Sequence, residues 1–529
     1  MTWPISIDPA RRLTPPSPDM ELYMWTLGWD AHAFVRQPFS IFDANIYYPE
    51  RRTLAYSENL IGSALLAAPI VWTTGNLVLA LNFVALSSCL LCAVGAYLLA
   101  RRAGIGEPGS FISGVVFAFC PMRFLRLYQI HLATVQWIPF GLNFLIAYLD
   151  GARRRDLLLA LGFLVLQALA SGHGAVFMGV AYLVVLAYRF ACGEPVTLAR
   201  RARDFGFAGL AILALAAAVF VPYLRVQRSM GLRRALEDWA VNWPSFIASP
   251  TTFHAWMLKR LSLDHLTAAA QAFLFPGYLP IVLALLAIGW RRGSLSRRNV
   301  WLFALIGAAA AIFSIGPPLS VWPLVYWLPG LNLIRVPSRF TLLLALALAV
   351  LAGMGYEVIA RGRRWPAAVL AVLMLAEFSL PWETTAYAIE IPAADRWLAT
   401  RPRPFAIAEV PIPRPSDEGP SERRETRLML YSTAHWQKTV HGYSGFRSAA
   451  QERLFYELAA FPDETSVASL ERVGVTYVVV HTDSYPPERR ADVIARIDSF
   501  GPRLKLQYVD PGARVYWVTR TAPTARNQQ

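Results

Sequence analysis

Residues 81–102 read LNFVALSSCLLCAVGAYLLARR, an uncharged run that ends directly in two arginines. A helix needs about 20 such residues to cross a hydrocarbon core of about 30 Å, and arginines at a span's end mark its cytoplasmic side. The pattern recurs along the chain. Apolar stretches are expected to span near 77–100, 108–122, 133–149, 156–172, 174–191, 204–223, 273–290, 300–316, 340–360 and 366–381. Alternate gaps carry Arg101 and Arg102; Arg153, Arg154 and Arg155; Arg200, Arg201 and Arg203; Arg291, Arg292, Arg297 and Arg298; and Arg361, Arg363 and Arg364. The other gaps hold carboxylates, histidines and prolines. These positions predict cytoplasmic basic loops, with every second loop and both chain ends in the opposite compartment.

Composition agrees with a polytopic α-helical membrane protein of about ten spans. Of 529 residues 55% are hydrophobic and 16% charged, and the mean hydropathy is +0.38, unlike a soluble enzyme. Topology also explains the formal charge of +15. The arginines alternate between loops instead of sharing one soluble face, which argues against nucleic acid as a partner. Cys89, Cys92, Cys120 and Cys192 lie in or beside apolar stretches, so no disulfide framework is expected. The Cys89-x-x-Cys92 pair lacks the second ligand pair of a zinc site and reads as packing.

Three domains are expected: an outer amino-terminal segment, 1–76, with interfacial helices; a multi-span unit, 77–381; and an outer α/β module, 382–529. Leu60–Trp72 is apolar but short, and counting it as a span would reverse every later loop, so an interfacial or re-entrant helix is expected. Because the first segment falls outside with nothing to carry it there, the expectation is either that the ten-span unit inserts its amino end outward or, the favoured reading, that a helix precedes residue 1. In the last unit, Phe405–Ile412 and Val475–His481 read as strands. Val467–Val473 and Glu488–Phe500 read as helices, and Lys505–Val518 as a hairpin turning at Asp510, Pro511 and Gly512.

Ionisable residues at membrane depth are expensive and usually mark a pathway, a partner or a site. The outer face collects three sets. In PSPDMELYMWTLGWDAHAF, residues 16–34, Asp19 and Glu21 form a D-x-E element, followed by Asp30 and His32; Glu58 precedes the short apolar helix. Two neighbouring carboxylates suit a divalent cation such as Mg or Mn, or a general base beside a second acid. They equally suit a plain helix start, where the dipole favours acids. The second set is Arg123, Arg126, His131 and their neighbours in FAFCPMRFLRLYQIHLATVQWIP, residues 117–139. The third is Arg335 and Arg339 in LIRVPSRF, residues 333–340, together with His173 at another outer turn. Arginines on the side that is poor in basic charge suit a phosphate or lipid-headgroup anchoring. Tyr443, in the module's glycine and aromatic loop 435–446, offers a flat face to a sugar.

With these motifs the chain resembles the glycosyltransferase-C superfamily of integral-membrane sugar transferases. That group includes the dolichyl- or polyprenyl-phosphate-sugar mannosyltransferases and the arabinose and galacturonic acid transferases of bacterial cell envelopes. The resemblance implies inverting transfer of a sugar from a polyprenyl-phosphate donor to a glycan, lipid or protein acceptor at the outer face of the plasma membrane. It implies Asp19 as the catalytic acid-base residue, with Glu21 as second carboxylate and Asp30 in reserve. Arg123, Arg126, Arg335 and Arg339 are implied at the donor phosphate, and His32, Glu58, His131, His173 and Tyr443 as substrate contacts. The alternatives are a lipid-linked-sugar flippase or transporter, for which no repeated halves are visible, and a non-catalytic membrane scaffold. No nucleophile elbow, Walker A or dinucleotide-binding pattern is present. The enzyme reading predicts that outer acids and arginines converge on one pocket.

Overall fold

The computed structural model describes residues 2–151, 153–192, 202–231, 240–289, 296–318, 320–328, 331, 334–360, 363–412 and 420–519. The arginines at 200, 201, 291, 292 and 361 lie outside the described residues. The chain is mostly helical with one small sheet unit. Among the described residues, four helical segments are long and apolar enough to cross a membrane: Leu77–Arg102, Ile130–Gly151, Gly172–Ala191 and Pro337–Ala360. A bent pair within Ala202–Met230 makes a fifth if counted as one span. The expected ten spans are not confirmed by this criterion, which finds four or five among the described residues. Ile61–Thr74, Glu107–Phe119, Tyr278–Gly289 and Trp365–Glu377 are further apolar helices of 10–17 described residues, against the about 20 that a ~30 Å core asks for at 1.5 Å per residue.

Polar contacts gather the basic helix ends. Arg364 approaches Glu107 at 3.8 Å, Arg154 pairs with Asp204 at 3.0 Å, and Arg189 bonds Asp150. Asn299 donates to the Ala103 carbonyl at 2.9 Å. Helices that start there run to the opposite end, where the chain turns at residues 120–136, 171–173 and 334–340. Those turns hold Arg126, Arg335 and Arg339.

Helix α1, Pro18–Arg36, opens this opposite end. Ser17 caps it by accepting from the Met20 N–H at 3.3 Å, and Pro18 occupies its first turn, as helix starts favour. From Met20 to Ala31 every residue is buried, because α1 is covered on several sides. Helix α2, Ile61–Thr74, and helix α3, Leu77–Arg102, pack against it in one apolar core that also takes Met429 and Leu430 from the carboxy-terminal unit. A second core joins the far half of α3 to the helices from Glu107 onward. Gly62 permits a close crossing, since a Cβ there would lie 2.7 Å from the Ala170 nitrogen and 2.8 Å from the Leu166 oxygen.

The carboxy-terminal unit is a five-stranded mixed sheet. With β1 (Arg12–Leu13) and β2 (Thr385–Ala386) forming a separate antiparallel pair, its strands are β3 (Ala406–Val410), β4 (Lys438–Thr439), β5 (Tyr477–His481), β6 (Leu504–Val509) and β7 (Ala513–Val518). Their order is β4-β3-β5-β7-β6, parallel across β4-β3-β5 and antiparallel beyond. AIAEV and YVVVH are central and almost wholly buried, so they lack the alternation that would mark a half-exposed strand, and the buried Glu409 within AIAEV is partnered by His481 Nε2 at 2.7 Å. Asp510 shapes the β6-β7 turn by accepting from the N–H groups of Gly512 and Ala513 at 2.8 and 2.7 Å.

The amino-terminal segment extends this sheet's edge. Thr439 N–H donates to the Asn45 carbonyl at 2.7 Å, Tyr48 N–H to the Thr439 carbonyl at 2.9 Å and Tyr47 N–H to the His441 carbonyl at 2.9 Å. Lys438 adds bonds to the carbonyls of Asp43 and Ala44 at 2.9 and 2.8 Å. The first and last parts of the chain are thus joined by main-chain bonds, which hold Tyr443 over α1.

Candidate functional site

Between α1, the turns at the non-basic helix ends and the carboxy-terminal unit lies a cavity of 1210 Å³. Its wall brings together Asp19, Glu58, Arg126, His131, His173, Arg335, Arg339 and Tyr443. An open cleft of 510 Å³ meets Asp19, Arg126 and Gln129 from another side, bordered by Leu125, Tyr128, Leu380 and Trp382. Asp19 and Arg126 therefore stand in the wall common to both spaces.

Helix geometry separates the D-x-E pair. Residues i and i+2 point to different faces of a helix. Asp19 faces the cavity and accepts from the Tyr443 hydroxyl at 3.1 Å. Glu21 faces the carboxy-terminal unit instead. It accepts from Tyr387 Oη at 2.7 Å, from Arg427 Nε at 3.3 Å and from the Thr426 hydroxyl, a docking contact away from the cavity. Tyr23, one turn after Asp19, returns to the cavity and reaches His131 Nδ1 at 2.9 Å. Burial, and then the nearby Asp19 carboxylate, raise the hydroxyl pKa of both Tyr23 and Tyr443 well above the ordinary phenol value, so both rings remain donors at neutral pH.

Asp30 lies outside the cavity wall. It is 0% exposed, and neither carboxylate oxygen has a hydrogen-bond partner among the described residues. Burial raises its pKa strongly, and a protonated carboxyl is the form such an environment favours. His32 also lies away from the cavity, its ring stacked 4.8 Å from Trp436. Burial, then Arg36 and Arg403, lower its pKa to about 4.

The two arginines of the 117–139 stretch have separate environments. Arg123 is 0% exposed and is absorbed by protein acceptors: Nη1 donates to the Ala118 carbonyl at 2.7 Å, and Nη2 to Ser88 Oγ at 3.0 Å and the Ala133 carbonyl at 3.2 Å. It closes helix ends and does not face the cavity. Arg126 lies in the wall, steadied by Gln129 Oε1 at 2.9 Å. Arg335 and Arg339 line the same cavity from the turn that Pro337 starts, which leads into Thr341–Ala360.

Glu58, His173 and Arg339 form a chain of contacts. Glu58 Oε1 is 2.5 Å from His173 Nδ1, and Glu58 Oε2 accepts from the Gly172 N–H at 3.0 Å. His173 Nε2 is 2.7 Å from Arg339 Nη1. Burial alone would raise the Glu58 pKa, but the hydrogen bonds from His173 and from the Gly172 N–H hold it below the ordinary carboxylate value, so Glu58 is ionised at neutral pH.

Several cavity residues were not singled out from the sequence: Tyr23, Asn59, Tyr223 and Glu422. Tyr23 was legible, since it follows Asp19 by one turn. Glu422 was not, because it comes from a helix of the carboxy-terminal unit, Pro420–Tyr431. Among the described residues no group of three or more His, Cys, Asp and Glu side chains is placed to share a metal ion. Asp19 and Glu21, pointing apart, do not fit the two-carboxylate cation site that their spacing invites.

No family model and no curated protein matches the chain. Solved structures do. The oligosaccharyltransferase AglB of Archaeoglobus fulgidus, in complex with an inhibitory peptide and a dolichol-phosphate, is 15% identical over 96% of this chain and 71% of its own, with a TM-score of 0.44. Its apo form aligns at 13% identity over 89% of this chain and 66% of its own, TM-score 0.46. ArnT of Cupriavidus metallidurans, bound to undecaprenyl phosphate, aligns at 12% identity over 96% of this chain and 94% of its own, TM-score 0.41. At these scores the likeness is one of chain arrangement, and it transfers no chemistry to this protein.

Proposed function

We propose that this chain is a membrane glycosyltransferase that moves a sugar from a polyprenyl-phosphate donor to an acceptor hydroxyl on the outer face of the plasma membrane, with inversion. The observation that carries the reading is the meeting of Asp19 with Arg126, Arg335 and Arg339 around one cavity of 1210 Å³. Such a volume exceeds the range of about 300–1,000 Å³ usual for small-molecule sites, leaving room for a sugar, a phosphate and the first part of a prenyl chain. The arginines supply cationic forks for phosphate oxygens.

In this mechanism Asp19 is the general base. Tyr443 bonds Oδ1, leaving Oδ2 for the acceptor. The acceptor oxygen forms a bond to the anomeric carbon while its proton passes to Asp19. The bond from that carbon to the phosphate oxygen breaks, and its electron pair leaves with the lipid phosphate. The three arginines stabilise the charge that develops there. The 510 Å³ cleft at Asp19 and Arg126 gives the acceptor its approach. Among the described residues none form a cluster for a divalent cation.

The test is transfer from radiolabelled polyprenyl-phosphate sugars in membranes containing the protein. Asp19→Asn is expected to lower transfer by about 10²–10⁴-fold, the usual contribution of a positioned general base, with unchanged protein level. Equal turnover by that variant removes Asp19 as base. If no donor in a broad panel is consumed while lipid-linked sugar crosses the bilayer of reconstituted vesicles, the transport reading replaces this one.

A further inference from the structure

We infer that Glu58 and His173 are positioning residues that aim the Arg339 guanidinium at the lipid phosphate, an inference that rests on the phosphate-binding reading above. The three residues come from distant parts of the chain: the segment before α2, the start of helix Gly172–Ala191, and the turn Pro337–Phe340. The close crossing at Gly62 presses the start of α2 onto helix Arg154–Ala170, which brings Glu58 over Gly172 and His173.

Hydrogen-bond logic fixes the histidine's state. Arg339 Nη1 is only ever a donor, so at 2.7 Å His173 Nε2 must accept. Nδ1 then carries the ring proton and donates it to Glu58 at 2.5 Å. The ionised Glu58, held also by the Gly172 N–H, selects that tautomer. With both ring nitrogens engaged by protein groups, His173 is not set up as a base toward substrate; its role is to present a lone pair to Arg339. A guanidinium held through one Nη1–H keeps a planar fork for two anionic oxygens. Both members of the Glu58–His173 pair are largely shielded, at 18% and 12% side-chain exposure, so the geometry is held by packing as well.

This arrangement is sensitive to protonation. A proton on Nε2 turns the acceptor of Arg339 into a like-charged neighbour. Beyond its two partners, Asp19, Tyr23, Arg126, His131, Tyr223 and Arg335 line the same cavity around the ring. The His131 ring is 5.7 Å away by centroid.

The experiment measures binding of a radiolabelled polyprenyl monophosphate to the purified full-length protein in detergent, against competition by the matching polyprenol. Glutamine at 173 retains one donor and one acceptor, whereas phenylalanine retains neither. His173→Phe is expected to weaken monophosphate binding by about tenfold, as for one charge-assisted contact, without changing polyprenol competition. His173→Gln is expected to bind within about twofold of the parent. Between about pH 8 and pH 5 the parent is expected to lose more affinity than His173→Gln, the lipid's own titration being common to both. Parent-like binding by His173→Phe while Arg339→Ala weakens it, or identical pH profiles for parent and His173→Gln, overturns the inference and leaves the phosphate site standing. Failure of the parent to prefer the monophosphate over the polyprenol overturns the phosphate reading itself.

Discussion

Arg123 and Arg126 are three residues apart in one stretch, yet the structure treats them in opposite ways. Arg123 fills a closed socket of two carbonyls and a serine hydroxyl, so its charge is answered by the protein. Arg126 stands in a cavity wall with Arg335 and Arg339, so three cations share a space that Asp19, Glu58 and Glu422 also line. A cation in a socket serves the fold, and cations gathered around an open volume invite an anion. The same contrast divides the carboxylates of α1, where Glu21 is consumed by Tyr387, Thr426 and Arg427 while Asp19 keeps an oxygen toward the cavity.

That contrast can be broken by exchanging what each arginine supplies. Arg123→Leu removes the charge-assisted hydrogen bonds to the Ala118 and Ala133 carbonyls and to Ser88, although Ala133 keeps the Val135 N–H and Ser88 keeps the Ala85 carbonyl. At about 1.5–3 kcal/mol for a hydrogen bond to a charged group, a loss of roughly 3 kcal/mol is expected, read as a lower unfolding temperature in detergent. Arg126→Ala is expected to cost about 1.5–2 kcal/mol of polyprenyl monophosphate affinity, with little change in unfolding temperature. A reversal, in which Arg123→Leu spares stability and abolishes binding, would erase the distinction.

Asp30 sharpens the comparison with a smaller effect. Its folded-state pKa is raised by burial, so the unfolded chain releases its proton first, and this site's contribution to stability falls as pH rises above the ordinary carboxylate value. Asp30→Asn removes that penalty. The variant is expected to unfold about 2 °C above the parent at pH 7, with the gain shrinking toward pH 4 and sugar transfer retained. Loss of transfer by Asp30→Asn with intact folding would return Asp30 to the catalytic set.

Much of the framework was legible. Hydropathy located the long apolar helices, and alternating arginine marked one common end, because both follow from solvation cost along the chain. The buried strands AIAEV and YVVVH and the Asp510 turn were legible for the same local reasons. The span count is not confirmed, since apolar helices such as Glu107–Phe119 resemble spans by composition but are shorter than a crossing helix. Nor was the fate of Glu21 and Arg123 legible, although the i, i+2 spacing of Asp19 and Glu21 already meant that they could not share a face. Contacts such as Glu58 with His173, 115 residues apart, and His173 with Arg339, 166 apart, leave no local trace in sequence, because tertiary packing alone creates them.

The central claim is that the donor's phosphate binds among Arg126, Arg335 and Arg339 beside Asp19. A cryo-electron microscopy structure of the full-length protein with a bound polyprenyl monophosphate measures this directly. The account predicts phosphate oxygens within hydrogen-bond distance of Arg339 and Arg126, with the Asp19 carboxylate facing the same space. Phosphate density elsewhere, for instance beside Arg423 and Arg427 at the Glu21 docking surface, would contradict it.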